Sequence, residues 1–220
     1  MKNILSQIEG LKFPDEMVTR FFFKNQLHQR CGTVLELGCG NANNLSLFAA
    51  YGWECIGLDI SSTLIDQGKY NFAIQGYSPA RLEVLDLNEA LPDFGPIDVL
   101  LMPSSIYYVH PIRAREIILQ VGSTLQKNGF VFCRFRTPDD YRYGRGIKIG
   151  PDCFKLNIDE TSEYGCVNTF YQVDAMLELL EPCQLAPDQI KIMNLSFDNL
   201  GLNGKMISNQ EVIMWGRLSS

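Results

Sequence analysis

The stretch Thr33-Val34-Leu35-Glu36-Leu37-Gly38-Cys39-Gly40-Asn41-Ala42-Asn43-Asn44 decides the fold. It reads as a short buried strand that runs into a glycine turn and then opens a helix, the sequence form of a nucleotide-binding βα turn. Closely spaced glycines let the backbone bend sharply and approach a ligand with no Cβ in the way. The free N–H groups at the start of the next helix then face that ligand.

Beyond this turn, strand and helix patterns alternate. A helix over about 43–50 carries Leu45, Phe48 and Ala49 on one face, and Glu54 to Asp59 reads as a second strand. Ser61 or Ser62 can cap the next helix, whose Leu64, Ile65, Gly68 and Phe72 keep the helical period until Tyr77-Ser78-Pro79. Arg81 to Asp86 and Ile97 to Met102 read as strands three and four, with little room between them for a crossover helix. A helix after Pro111, closed by Asn128-Gly129, leads into a fifth strand from Phe130 to Phe135. Helical spacing returns at Val173, Met176, Leu177 and Leu180. Two last strands, about 190–197 and 210–217, are joined by a short turn-rich link, which predicts an antiparallel hairpin.

This order predicts an α/β fold: a doubly wound, mostly parallel seven-stranded sheet with a C-terminal antiparallel hairpin and helices on both faces. Residues 1–220 are expected to form a single domain. Residues 1–30 read as helical, with Ile4, Leu5, Ile8 and Leu11 in one helix and Met17, Val18, Phe21 and Phe22 in a second begun by Pro14-Asp15-Glu16. Phe21, Phe22 and Phe23 cannot all face one core. Residues 137–170 lose periodicity, as a lid over a substrate or a small inserted hairpin does.

The composition is that of a globular protein: 46% hydrophobic and 20% charged over 220 residues. A formal net charge of -6 argues against a nonspecific nucleic-acid binder, which carries a basic footprint. Seven cysteines are scattered with no CxxC pair, which fits a reducing, cytoplasmic setting better than a disulfide scaffold. No apolar signal region opens the chain, and no run approaches the ~18 apolar residues of a membrane span. No group of residues has metal-ligand spacing, so no metal centre is expected.

Dinucleotides and S-adenosylmethionine both use such a turn. The dinucleotide fingerprint needs a third glycine where this chain has Asn43. Asp59, 19 residues past Gly40, suits a ribose in either case, since a carboxylate accepts both hydroxyl hydrogens. Glu36 separates the two: a buried carboxylate is badly placed beside a pyrophosphate and well placed beside a sulfonium and an amino group. Asp86, ending the third strand, is positioned to accept from an adenine amino group.

Val34-Leu35-Glu36-Leu37-Gly38-Cys39-Gly40 resembles the first motif of the class I, Rossmann-like S-adenosylmethionine-dependent methyltransferases, and Gly57-Leu58-Asp59-Ile60-Ser61 resembles their acidic second-strand motif. Leu85-Asp86-Leu87 with Leu91-Pro92, Ile97 to Met102 and the closing hairpin are similar to further parts of that family. The resemblance covers 31–136 well, 171–220 by topology, and 137–170 hardly at all. It implies that Gly38, Cys39 and Gly40 supply backbone around the methionine part of the cofactor, beside Glu36. It further implies that Asp59 binds the ribose, Ile60 packs on adenine, Asp86 and Leu87 read the adenine edge, and Met102 and Pro103 line the wall near the sulfonium. Met102-Pro103-Ser104-Ser105 departs from the Asp/Asn-Pro-Pro-Tyr/Phe motif of enzymes that methylate planar exocyclic amines, which argues against adenine or glutamine amide acceptors.

Methyl transfer depends on positioning, and needs a general base only when the acceptor must lose a proton. Tyr107 and His110, on the loop after the fourth strand, are the catalytic candidates. Tyr108, Arg136, Tyr141 and Arg142 are the candidates for acceptor binding, with arginine forks suited to a carboxylate or phosphate. The expected activity is methyl transfer to a small molecule, including an anionic one. The alternatives are an RNA or protein methyltransferase, an NAD(P)-dependent oxidoreductase, and a non-catalytic S-adenosylmethionine-binding protein.

Overall fold

A computed structural model describes residues 3–219; Met1, Lys2 and Ser220 lie outside the described residues. Seven strands form one sheet in the order β3-β2-β1-β4-β5-β10-β9: β1 (Thr33–Leu37), β2 (Glu54–Asp59), β3 (Arg81–Val84), β4 (Ile97–Met102), β5 (Leu125–Arg136), β9 (Lys191–Leu200) and β10 (Met206–Arg217). β1 pairs in parallel with both β2 and β4, so that Leu35 lies between Ile56 and Leu100. A central parallel strand is covered on both faces, which is why Val34, Leu35 and Leu37 form a nearly unbroken apolar run. The strand order reverses between β1 and β4, the switch point at which doubly wound sheets bind ligands. β9 and β10 close the sheet as an antiparallel hairpin registered from Met206↔Leu200 to Trp215↔Lys191.

By its internal packing the chain falls into two compact units, Met1–Pro103 with Thr124–Phe132, and Ser104–Ser123 with Cys133–Ser219. The first holds α1 (Glu16–Lys24), α2 (Asn43–Ala49) and α3 (Ser62–Gln75). Asp15 caps α1 by accepting from the N–H groups of Met17 and Val18, and Ser61 caps α3 through Leu64 N. Phe21 and Phe22 are wholly buried, Phe21 against Phe130 and Phe132 and Phe22 against Phe48, while Phe23 is half exposed beside His28 and Tyr51. No helix lies between β3 and β4, as their short separation requires.

The second unit holds α4 (Pro111–Gly122) and α5 (Val173–Leu179). Its residues 137–170 contain β6 (Gly146–Gly150), β7 (Cys153–Leu156) and β8 (Val167–Thr169), a three-stranded antiparallel sheet. Phe154, Leu156, Ile158 and Phe170 form a small core there, with Tyr141 and Tyr143 packed on it. Strands of three to five residues are too short to print a clear alternation in the sequence. Among the described residues, no helix is long and apolar enough to cross a membrane.

Of the boundaries that differ from the sequence expectation, three have a clear physical cause. The N-terminal residues form only a three-residue turn at Ile4–Ser6 before α1, because the carbonyls of Glu9, Leu11 and Phe13 accept from asparagine side chains instead of from a helical backbone. α4 stops at Gly122, not at Asn128-Gly129, because the Thr124 carbonyl already accepts from Ile97 N (3.0 Å) and ties the chain to β4. Gly129 then passes so close to β4 that a Cβ there would lie 2.7 Å from the Asp98 carbonyl oxygen. β3 ends at Val84, leaving Asp86 in the loop beyond it.

Candidate cofactor and acceptor sites

In the first unit, Gly38 (φ 73°) and Gly40 (φ 54°) both take the left-handed backbone that the turn demands. The N–H groups of Gly38 and Cys39 donate to the Leu58 carbonyl at 2.7 and 2.9 Å, which locks the turn onto the end of β2. Gly40 N donates to Asp59 Oδ2 at 2.8 Å, and Ser61 N donates to Asp59 Oδ1 at 2.9 Å. Two amides thus fix the carboxylate, and each oxygen still has a lone pair to offer. A Cβ at Gly40 would meet nothing within 4 Å, so the turn borders open space. Ile60, next to Asp59, is 67% exposed. Asp86 Oδ1 accepts from the backbone and side-chain nitrogens of Asn88, while Met102 and Pro103 are buried at the end of β4. The Cys39 thiol is buried, and burial, with the Glu36 and Asp59 charges, pushes its pKa up.

Glu36 is buried in β1. Its Oε1 accepts from Asn44 Nδ2 at 2.7 Å, while Oε2 is buried with no hydrogen-bond partner among the described residues. Burial pushes its carboxyl up to about 8; the Asn44 hydrogen bond opposes that rise, and the charges of Asp59 and Asp15 add to it. An orphaned buried carboxyl oxygen, a half-buried glycine cradle beside open space and an oriented strand-end carboxylate fit an adenosyl ligand with a cationic centre.

The asparagines around this turn bind backbone groups of the preceding segment, a role beyond the place of Asn43 in the turn motif. Asn41 Nδ2 donates to the carbonyls of Glu9 and Leu11 at 2.7 and 2.9 Å, and Asn43 Nδ2 donates to Phe13 O at 2.9 Å. Asn71 both donates to and accepts from the Glu9 backbone. Residues 9–15 therefore cross the turn as a strap held by side chains. The signal was the asparagine-rich run itself, since asparagine competes for backbone groups.

In the second unit, three of the sequence candidates converge on Glu163, a residue outside the candidate set. Arg136 Nη1 donates to Glu163 Oε1 at 2.6 Å and also to Asn168 Oδ1; Tyr108 donates its hydroxyl to the same Glu163 oxygen at 2.7 Å. Arg142 donates from Nε to Glu163 Oε2, and from Nη1 to Asp140 Oδ1 at 3.0 Å and Asn209 Oδ1 at 3.1 Å. The Arg136 guanidinium stacks 4.4 Å from the centre of the buried Tyr107 ring. Burial works against the Glu163 carboxylate, but Arg136, the Tyr108 hydroxyl and Arg142 hold it down at about 2. Burial pushes the hydroxyls of both tyrosines up. The two arginines thus form an internal ion network whose positive charge is met by Glu163 and Asp140. Tyr108, Arg136, Arg142, Thr161 and Glu163 line a cavity of about 330 Å³, bordered by Leu202.

His110 and Tyr141 stand apart from this cluster. His110 caps α4, its Nδ1 accepting from Ile112 N at 3.4 Å, and its Nε2 side lies against Gly150. Tyr141 packs on the small core, with the Arg145 guanidinium stacked 3.7 Å from its ring centre.

A sheet with this order, a glycine turn at its switch point and an acid closing β2 define a Rossmann-like nucleotide-binding fold. Residues 34–129 match the family model described as a methyltransferase domain. The whole fold is similar to a solved S-adenosylmethionine-dependent methyltransferase from Methanosarcina mazei, with TM-score 0.67 and 17% identity over 94% of this chain and 100% of that one. A second such enzyme, from Clostridium acetobutylicum, matches with TM-score 0.62 and 13% identity over 92% of this chain and 91% of that one. A third match is the 1,6-didemethyltoxoflavin-N1-methyltransferase of Burkholderia thailandensis, solved with 1,6-didemethyltoxoflavin and S-adenosylhomocysteine, at TM-score 0.60 and 13% identity over 93% of this chain and 78% of that one. Residues 34–129 thus carry a methyltransferase-domain match, and the solved methyltransferases share the fold of this chain.

Proposed function

We propose that this chain is an S-adenosylmethionine-dependent methyltransferase that acts on a small-molecule acceptor taken up by its second unit. The observation that carries this reading is the cavity of about 330 Å³ lined by Tyr108, Arg136 and Arg142, a volume suited to a small ligand. The net charge of -6 supports it against an RNA acceptor.

On the donor side, Gly38, Cys39 and Gly40 offer backbone to the methionine part, and Glu36 faces its cationic centre. Asp59 takes the ribose hydroxyls, Ile60 covers adenine, Asp86 and Leu87 read the adenine edge, and Met102 with Pro103 walls the site. When bound, the sulfonium supplies an activated methyl group for in-line displacement. The residues of the chain position the reactants and keep water away, and positioning by itself accounts for much of such a rate.

Neither catalytic candidate is set up as a strong base: the Tyr107 hydroxyl is pushed up by burial, and His110 spends its Nδ1 on a helix cap. The reading therefore favours an acceptor that is nucleophilic without prior deprotonation. The charge balance around Glu163 favours a neutral polar acceptor over an anionic one.

A screen of fractionated metabolites with methyl-labelled S-adenosylmethionine tests this. The expected result is label in a small-molecule fraction. Label found only in RNA or protein fractions would overturn it. In parallel, calorimetry should show S-adenosylhomocysteine binding and no NAD(H) binding.

A further inference from the structure

The Asn44 side chain joins two parts of the first unit that are far apart in sequence. Its Nδ2 donates to Glu36 Oε1 at 2.7 Å, and its Oδ1 accepts from the Asp15 backbone N–H at 2.8 Å. A backbone N–H can only donate, so the carbonyl end of the amide must face Asp15 and the NH₂ end must face Glu36. Asn44 is nearly fully buried, at 6% exposure, and lies in the first turn of α2, so it has little freedom to turn away.

This orientation dictates how Glu36 carries its proton. Oε1, facing an NH₂ donor, can act only as an acceptor. The proton of the neutral acid must therefore sit on Oε2, the oxygen with no partner. When that proton leaves, the charge falls on the same atom, while Asn44 continues to hold Oε1.

We infer that Asn44 is a positioning residue: by holding Glu36 Oε1 against the anchor at Asp15, it presents Oε2 to the cationic part of the bound cofactor and makes cofactor binding release the Glu36 proton. This rests on the assignment of the β1 turn as the S-adenosylmethionine site. The groups facing Glu36 are Asn44 on α2, Asp59 and Cys55 on β2, Cys39 in the turn and Asp15 before α1. Both aspartates oppose ionisation of Glu36 and Asn44 favours it, while the two thiols stay neutral because burial holds their pKa values high. Asn44 is thus the one group of the set that stabilises the carboxylate.

The test is calorimetric titration with S-adenosylmethionine between pH 6 and 9. For the wild-type chain, affinity should rise with pH and level off near pH 8, and one proton should be released per cofactor bound at pH 7. Asn44→Ala should move the levelling point up by about one unit and weaken binding at pH 7 about tenfold, the effect of losing one hydrogen bond to a charged group. Glu36→Gln should give a flat profile with no proton release. Asn44→Asp, which keeps the acceptor for Asp15 N and the side-chain shape, covers the case in which the alanine variant does not fold; it should also move the levelling point up. A purely structural role for Asn44 would weaken binding equally at every pH with the levelling point unmoved, and that result overturns the inference. So does a Glu36→Gln variant that retains the wild-type profile. Absence of wild-type binding at any pH would instead refute the cofactor site.

Discussion

The backbone N–H of Gly40 donates to Asp59 Oδ2 over 2.8 Å, joining the glycine turn after β1 to the acid that closes β2. The bond aims the carboxylate before any ligand arrives, so binding does not have to order it. On the proposed cofactor site, replacing Asp59 with Ala removes two charge-assisted acceptors for the ribose. The expected outcome is a loss of S-adenosylhomocysteine affinity of about 100-fold, read by calorimetry. An affinity within twofold of wild type would remove Asp59 from the site.

Gly40 separates folding from binding. A side chain there meets no neighbour, so Gly40→Ala costs only the left-handed backbone, about 1–2 kcal/mol. The added methyl group projects into the open space assigned to the cofactor. Chemical denaturation should show the modest stability loss, while S-adenosylhomocysteine binding falls by a larger factor than that loss accounts for.

Glu163 should be the costliest side chain to neutralise in the second unit. Glu163→Gln leaves Asp140 as the carboxylate partner of Arg142 and removes the carboxylate paired with Arg136, and an uncompensated buried charge costs about 3–5 kcal/mol. Its pKa is held at about 2 in the fold against 4.5 as the ordinary value, so its contribution is present above pH 4.5 and is lost as the pH falls toward 2. Urea unfolding at pH 7 and pH 3 should show a large gap between wild type and variant at the first and a smaller one at the second.

Glu36 has the opposite sign. Its pKa is raised in the fold to about 8 from 4.5, so the neutral acid favours folding and the ligand-free chain loses that stability as the pH rises from 4.5 to 8. Glu36→Gln is neutral at every pH. Thermal melts without ligand should show the variant gaining on wild type from pH 5 to pH 8, with no further gain above that. A constant difference across this range would count against the buried titration.

Much of the proposed donor side was legible because it is local. Gly38, Gly40 and Asp59 belong to a short segment whose strand, turn and helix follow from apolar runs and glycine conformation. The boundaries that moved did so through long-range bonds. Asn41, Asn43 and Asn71 took the backbone groups that a first helix would have used, and Thr124 joined β4 before the helical pattern had run out.

The second unit was less legible. Arg136 and Arg142 read either as ion pairs on a loop or as a small electropositive pocket; in the fold they pair with a carboxylate 27 and 21 residues away. Glu163 carries no local pattern that marks it as their partner.

The sequence by itself determined the parallel sheet, the glycine turn and the acid on β2, since hydrophobic period and backbone conformation are properties of neighbouring residues. Tertiary structure alone decided that Asn44 holds Glu36 and that Glu163 gathers Tyr108, Arg136 and Arg142. Those bonds join buried polar groups that only folding brings within reach, and in a dry interior each must find whichever partner the chain places beside it.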